Sequence, residues 1–463
     1  MESALWSAQE WAEQEFGDAD LGDARLTKRA VGIAARLACV PGGTLPDPIP
    51  EWSQLKAAYR FLHNPRVNFH ALARPFWEQT RQACETRGTY LLIEDTTVLD
   101  YTSHAATVGL GHVGNGGGRG FLLHNNLAVR VEKWDGESQL ALNVMGLFGQ
   151  EIWGRFGPRK EGRHEWRKRQ ARPRESERWG RALTETNGPP PGTNWIYIAD
   201  RESDVMEVFL RCAERGVDWV IRATCNRKVE EDIRCLFDAA ANAPGRGEFS
   251  LYLRARPGQP ARDAHLIVRS RPIVVKGPPR PGGRLPDQEM WVVDVQELDA
   301  PAGVEPIHWV LLSSLNAETF SRCRKIVAYY ASRWLIEEYH KALKSGTQVE
   351  KSQLETAEAL ENLIAIHSVV AVRLLALKEM AAAEPEMKVS DKMFGPEVWA
   401  VLNGKFGRPE GGWTIQSALV AVARPGGFLA RKGDGRPGWL TIWRGWRRLI
   451  LLVEGYLLAE AGR

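Results

Sequence analysis

The hydrophobic rhythm of the chain changes several times. Up to about residue 88, apolar side chains recur near helical spacing: Trp6, Trp11 and Phe16, then Ile33, Leu37 and Val40, then the run WSQLKAAYRFL that stops at Asn64-Pro65. The Pro- and Gly-rich stretch PGGTLPDPIP at 41–50 reads as a loop inside this helical unit. At Tyr90 the pattern becomes YLLIEDTTVLDY, a continuous apolar run ending in an acidic, turn-prone segment, as expected for a strand buried on both faces. NWIYIADRESD repeats it at 194–204, and between the two FLLHNNLAVRVEKW and SQLALNVMGLFGQEIW read as neighbouring strands with a hairpin turn at Trp134-Asp135-Gly136-Glu137. The helix VMEVFLRCAERG then leads into the strand VDWVIRA, so the alternation is of the α/β kind.

Residues 225–306 break the alternation. FSLYLRARPG, HLIVRSRPIVVKG and MWVVDVQELD alternate with period two and are separated by Pro- and Gly-rich loops, which predicts a small antiparallel insertion. The α/β core resumes with HWVLLSSL and a single long helix from about Ala317 to Ser345. An apolar helix at 356–384 and a Trp-rich helical end follow. The expected units are 1–88 (helical), 89–347 (α/β, with the insertion at 225–306) and 348–463 (helical).

A length of 463 residues agrees with about three units at roughly 150 residues each. The net charge of +4 does not by itself announce a nucleic-acid binder; distribution must make that case. Six cysteines without a C-x-x-C pair argue against a thiolate zinc site and a disulfide scaffold, and fit a reducing cytoplasm. The acidic start MESALWSAQEWAEQEF lacks a signal-peptide core, and the stretch Ile364 to Leu377 is interrupted by His367 and Arg373, so neither secretion nor a membrane span is expected.

The candidate chemistry begins with two strand patterns that end in aspartate, Asp95 and Asp200. Taken singly, an aspartate in such a place more often caps a turn or a helix. A third carboxylate shifts the balance. In YYASRWLIEEYHKALKSG, Tyr330, Arg333, Glu337, Lys341 and Lys344 fall within a stripe about 80° wide on an ideal helix, presenting one glutamate among cations and an aromatic ring. Alternating charge of this sort also marks an ordinary solvated face. Hard divalent ions take oxygen ligands, and three converging carboxylates can hold two of them about 3.5–4 Å apart for phosphodiester chemistry. Glu338 lies about 100° off the stripe. Glu94 lies on the opposite strand face from Asp95.

The spacing Tyr330, Arg333, Glu337, Lys344 resembles the signature of DDE transposases of the Tn-five type, in the IS-four group of bacterial insertion sequences. LGDAR at 21–25, AAYRFLHNP at 57–65, IEDTTVLDY at 93–101, DRESD at 200–204, HWVLLSS at 308–314, VAVRLLALKE at 370–379, ARPGGFL, and WRGW at 443–446 occur in family order along nearly the whole chain. The resemblance implies an RNase H-like core with a β-rich insertion, an N-terminal helical DNA-end-binding domain and a C-terminal helical dimerisation domain. It also implies Asp95, Asp200 and Glu337 as catalytic ligands of two Mg²⁺ ions, with Mn²⁺ as a substitute. The implied chemistry is nicking, hairpin formation, hairpin opening and strand transfer into target DNA, by a homodimer bound to terminal inverted repeats in the bacterial cytoplasm.

By the same resemblance Trp309 receives a flipped base, Arg222 contacts DNA, and Arg25, Lys28, Arg29, Tyr59 and Arg60 belong to the terminal-repeat-binding surface. Unaided, Trp309 beside VLL reads as a core residue, and only the resemblance brings the two readings level; Arg222 alone passes as a surface strand residue and the other cations as helix surface. The segment 155–181 interleaves many Arg and Lys residues with Trp and Glu, which suits phosphate binding or a solvated linker, and its basicity departs from the family pattern. Two rival functions stand beside the transposase: a nuclease of the same core that cuts without joining, and a non-catalytic DNA-binding regulator.

Overall fold

A computed structural model of the chain describes residues 2–114, 116–136, 140–156, 175–230, 234–253, 261–280, 283–389 and 392–462. The N-terminal unit is built from helices Ala8–Phe16, Ala24–Cys39, Trp52–Leu62 and Phe69–Ala83. Side-chain caps start three of them: Ser7 in a reciprocal capping box with Glu10, Asp23, and Asn68.

The sheet begins with β1 (Gly88–Asp100), β2 (Gly111–Val113), β3 (Gly118–Trp134) and β4 (Leu140–Trp153), and continues with β5 (Thr193–Ala199) and β6 (Asp218–Arg222). β3 pairs antiparallel with β1 on one edge and with β4 and the short β2 on the other, whereas β5 and β6 run parallel to β1. This order, β4-β3-β1-β5-β6 with three antiparallel strands followed by two parallel ones, is the RNase H-like arrangement. Parallel β1 and β5 have both faces covered, which explains their unbroken apolar runs.

The antiparallel strands of the expected insertion are β7 (Gly245–Leu253), β8 (Arg262–Val275) and β11 (Gln288–Glu297), with a two-stranded ribbon, β9 (Pro279–Arg280) and β10 (Gly283–Arg284), between the last two. They do not form a separate small sheet. β12 (His308–Ser313) pairs antiparallel with β6 on one side and with β11 on the other, so the sheet runs on through β12-β11-β8-β7 to ten strands. The free edge that β6 would otherwise expose is covered.

The single long helix expected from Ala317 to Ser345 is instead broken. Helix Phe320–Ala331 starts at the Thr319 cap, and a second helix, Trp334–Lys341, follows after a kink at Ser332–Arg333. At the kink Ser332 Oγ donates back to the Ala328 carbonyl (2.9 Å), and the backbone bonds shorten to three-residue steps, Arg333 N–H to Tyr330 and Ile336 N–H to Arg333. A π-turn, Ala342–Gly346, ends the run.

Helix Ala357–Ala383 is capped by Thr356 and buried almost all round. It is long and apolar enough to cross a membrane, but 89% of its apolar window is buried inside the protein, so in this fold it is a central spine. It packs on the N-terminal helices, β4 and the π-turn. Asn362 Nδ2 donates to the carbonyls of Leu62 (2.9 Å) and Val67 (3.1 Å), and Arg373 donates to those of Ala4 and Trp6. The first unit of the chain is thus fastened to the last, and one apolar core runs through both and the sheet. Helices Pro396–Phe406, Ile415–Ala423 and Trp439–Ala461 complete the C-terminal part. Replacing Asn362 with Leu leaves two buried carbonyls without their donor, and is expected to lower unfolding free energy by about 2 kcal/mol in a denaturant titration. An unchanged midpoint and slope would refute this account of the fastening.

Candidate active site

In the parallel register of β1 and β5, Ile93 lies beside Ile198 and Glu94 beside Ala199. The next residue on each chain is an aspartate, so Asp95 and Asp200 share one level of the sheet. Asp200 has just left β5 and caps the turn Arg201–Ser203, accepting the Glu202 N–H at 2.9 Å. It is therefore both a turn cap and a neighbour of Asp95. Alternation along β1 sends Glu94 to the other face, where it is buried, with His124 Nε2 at 3.1 Å and the Gly180 N–H donating to it at 2.9 Å.

Glu337 arrives from the kinked helix pair. Arg333, at the kink, donates one guanidinium nitrogen to Asp95 Oδ2 (3.0 Å) and another to Glu337 Oε1 (2.5 Å). One cation thus ties the strand carboxylate to the helix carboxylate. Among the described residues no three acidic, imidazole or thiolate groups stand close enough to hold one metal ion as placed. Here the guanidinium of Arg333 fills the gap between two of the three carboxylates. Glu338 points elsewhere: it accepts hydrogen bonds from Lys341 Nζ (2.7 Å), from Lys378, and from the Trp439 indole (3.2 Å). Burial opposes its charge, yet the two lysines hold its carboxyl at about 2. That leaves Glu337 as the helix carboxylate facing the aspartates.

Asp95 carries the electrostatic signature of the site. Burial pushes its carboxyl up to about 6, the neighbouring charge of Asp200 adds to this and that of Glu337 contributes, while Arg333 and the Thr96 N–H pull the other way. An excess of negative charge that one guanidinium does not relieve is what a hard cation would neutralise, so the donor set fits a divalent metal in its chemistry.

The other expected residues divide into groups. Tyr330 is buried, and Arg333, Arg222 and Asp200 all lie near enough to act on its phenol electrostatically. Trp309 meets the Tyr330 ring edge-on at 5.1 Å, and Arg222 donates to the His308 carbonyl (2.8 Å). These side chains form one flank of the carboxylates. Lys344 lies on the π-turn, 3.8 Å from Glu350. Lys341 is drawn to Glu338 and lies over the Trp334 ring at 4.8 Å, away from the Arg333 bridge. The broken helix explains why an unbroken stripe does not describe these two lysines.

Arg25, Arg29 and Arg60 line an open cleft of about 350 Å³ in the N-terminal unit, together with Arg66, which sequence reasoning missed. Lys28 is exposed beside it, and Tyr59 is half-buried. Arg25 is paired with Asp23 (2.7 Å) and Arg29 with Gln54 (2.8 Å). Most of the basic segment, residues 157–174, lies outside the described residues. At its margins Arg155 pairs with Glu175, and Arg178 and Arg181 both pair with Glu151.

An RNase H-like sheet with acidic residues at its centre suits metal-dependent cutting of phosphodiester bonds. Three family models match the chain in order: transposase DNA-binding over residues 8–67, transposase DDE domain over 169–373, and transposase Tn5 dimerisation domain over 369–462. The chain belongs to the DDE transposases of the Tn5 type, metal-dependent DNA endonucleases and strand transferases that bind DNA and form homodimers. The DDE model takes in Asp200 and Glu337, and begins after Asp95.

The raised Asp95 carboxyl has a consequence for metal-free protein. Because the folded state holds this proton more tightly than the unfolded chain, ionised Asp95 costs stability. The cost is absent below about 4, grows with rising pH and is complete above about 6. Asp95→Asn is therefore expected to melt higher than the parent at pH 8 in chelator, with the difference closing as pH falls towards 4. A lower melting temperature for the variant at pH 8 would contradict the charge balance described.

Proposed function

We propose that this transposase works by a cut-and-paste route in which Asp95, Asp200 and Glu337 hold two Mg²⁺ ions at the end of the element. The observation that carries the reading is the shared sheet level of Asp95 and Asp200 with Glu337 tied to Asp95 through Arg333. Bound there, such ions activate the attacking oxygen and stabilise the leaving one. Arg333, released from Asp95 and Glu337, turns its planar fork to the phosphate beside the scissile bond. Lys344 adds charge next to it. The order of nick, hairpin, hairpin opening and strand transfer is the one the family resemblance implies, with one set of carboxylates used repeatedly on a strand held in place.

Trp309 offers a partly buried ring, backed by Tyr330, on which an unstacked base can lie, and Arg222 steadies that flank. The cleft lined by Arg25, Arg29, Arg60 and Arg66 is the surface for terminal inverted repeats, with Lys28 and Tyr59 at its border. In the last helix Leu451, Leu452, Leu457 and Leu458 are exposed, which suits the face joining two copies. The substrates are then two terminal repeats and a target duplex, handled by the homodimer.

Asp200→Asn and Glu337→Gln are each expected to abolish cleavage of terminal-repeat DNA in Mg²⁺ while leaving binding in chelator intact. Cleavage at the parental rate by either variant would remove the mechanism. Pre-cut ends should join to a plasmid target; cutting without joining would instead identify a nuclease. Arg60→Ala is expected to weaken binding to all duplexes and to reduce the slope of log affinity against log salt by about 1. An unchanged slope would place the DNA elsewhere.

A further inference from the structure

A row of polar side chains crosses the sheet beneath the candidate carboxylates. Directly opposite residues of antiparallel strands project from the same face, and Asp95 on β1 stands opposite Asn125 on β3, which stands opposite Gln150 on β4. Asn125 is fully buried and Gln150 nearly so. Gln150 Nε2 donates to Asn125 Oδ1 at 2.7 Å, and the Trp77 indole donates to Gln150 Oε1 at 3.4 Å. With its oxygen so engaged, Asn125 turns its amide nitrogen to the Leu123 carbonyl (3.1 Å) and to His340 Nε2 (3.1 Å).

His340 lies one turn beyond Glu337 on the same helix, where residues three apart are neighbours. Asn125 donates in this contact, so His340 Nε2 accepts and the imidazole is neutral. Burial, with Lys344 and Arg333 nearby, agrees by pushing its pKa down to about 3. A leucine at either position would fill the core; a directional bond between two buried amide and imidazole groups specifies a distance. The bond joins the strand residue beside Asp95 to the helix residue above Glu337.

We infer that Asn125 and His340 are positioning residues which set the spacing of Glu337 from Asp95, and with it the affinity of the site for divalent metal. This rests on the assignment of Asp95 and Glu337 as metal ligands. Groups that orient ligands without touching the ion commonly change metal affinity by about 10–100-fold when removed.

The test measures Mn²⁺ bound to the full-length protein by electron paramagnetic resonance, alongside thermal stability. His340→Leu is expected to weaken Mn²⁺ binding about 10-fold. His340→Gln, whose side-chain oxygen can accept from Asn125, should restore most of it. Should the leucine variant not fold, Asn125→Ala removes the same bond from the strand side and carries the same expectation. Parental Mn²⁺ affinity in His340→Leu or Asn125→Ala, or a loss in His340→Gln as large as in the leucine variant, overturns the positioning role. Glu337→Gln is the control. If it loses Mn²⁺ while the leucine variant does not, only the positioning role falls; if it binds Mn²⁺ as the parent does, the ligand assignment falls and the inference with it.

Discussion

Two ionised aspartates cannot sit a strand spacing apart, half shielded from water, without a positive charge between or beside them. Unit charges about 5 Å apart repel by roughly 3 kcal/mol at an effective dielectric near 20, and strands in a sheet are about 4.8 Å apart. Burial raises the carboxyl of Asp95, and the neighbouring charge of Asp200 adds to the rise. Arg333 relieves part of it, reaching both Asp95 and Glu337. It does so from the kink at Ser332–Arg333, where the helix abandons its regular bonding. The irregular backbone and the acidic sheet centre are therefore parts of one arrangement.

The neighbouring glutamates show how a single helix serves chemistry and architecture together. Glu337 faces the aspartates, whereas Glu338 is clamped by Lys341 of its own helix, Lys378 of the spine and Trp439 at the start of the last helix. Lys378 and Trp439 both fall within the segment matched as the dimerisation domain. The helix that carries Glu337 and the dimerisation segment consequently share one buried carboxylate, that of Glu338. The spine reinforces this by holding the N-terminal unit through Asn362 and Arg373.

Much of this was legible in the residues. The apolar runs before Asp95 and Asp200 identify β1 and β5 because strands covered on both faces have no polar side, and the spine announces itself by an apolar stretch at 363–377, broken only by His367, Ser368 and Arg373. What pairing a strand makes is not written in its periodicity: β7, β8 and β11 read as an insertion, and only β12 joining β6 to β11 reveals one continuous sheet. The Ser332 back-bond is equally silent, since an unbroken helix fits the same apolar spacing and puts Lys341 and Lys344 on a common stripe that the kink and π-turn disperse. Asn125 and His340 gave no signal, because a buried polar pair is recognisable only once both partners are in place.

Charge balance links Arg333 to the proposed metal site. Three carboxylates with one guanidinium retain negative charge, whereas the same carboxylates with two divalent ions already carry a surplus of positive charge before Arg333 is counted. Arg333 and a full metal complement therefore do not share the space between Asp95 and Glu337 comfortably. A phosphodiester changes the balance by bringing negative charge of its own, and it gives the guanidinium a bidentate partner as good as the one it leaves. On the proposed assignment, exchange of Arg333 from carboxylate to phosphate would make metal loading and DNA seating mutually supporting, and hydrolytic power would assemble most readily where a strand is already in place.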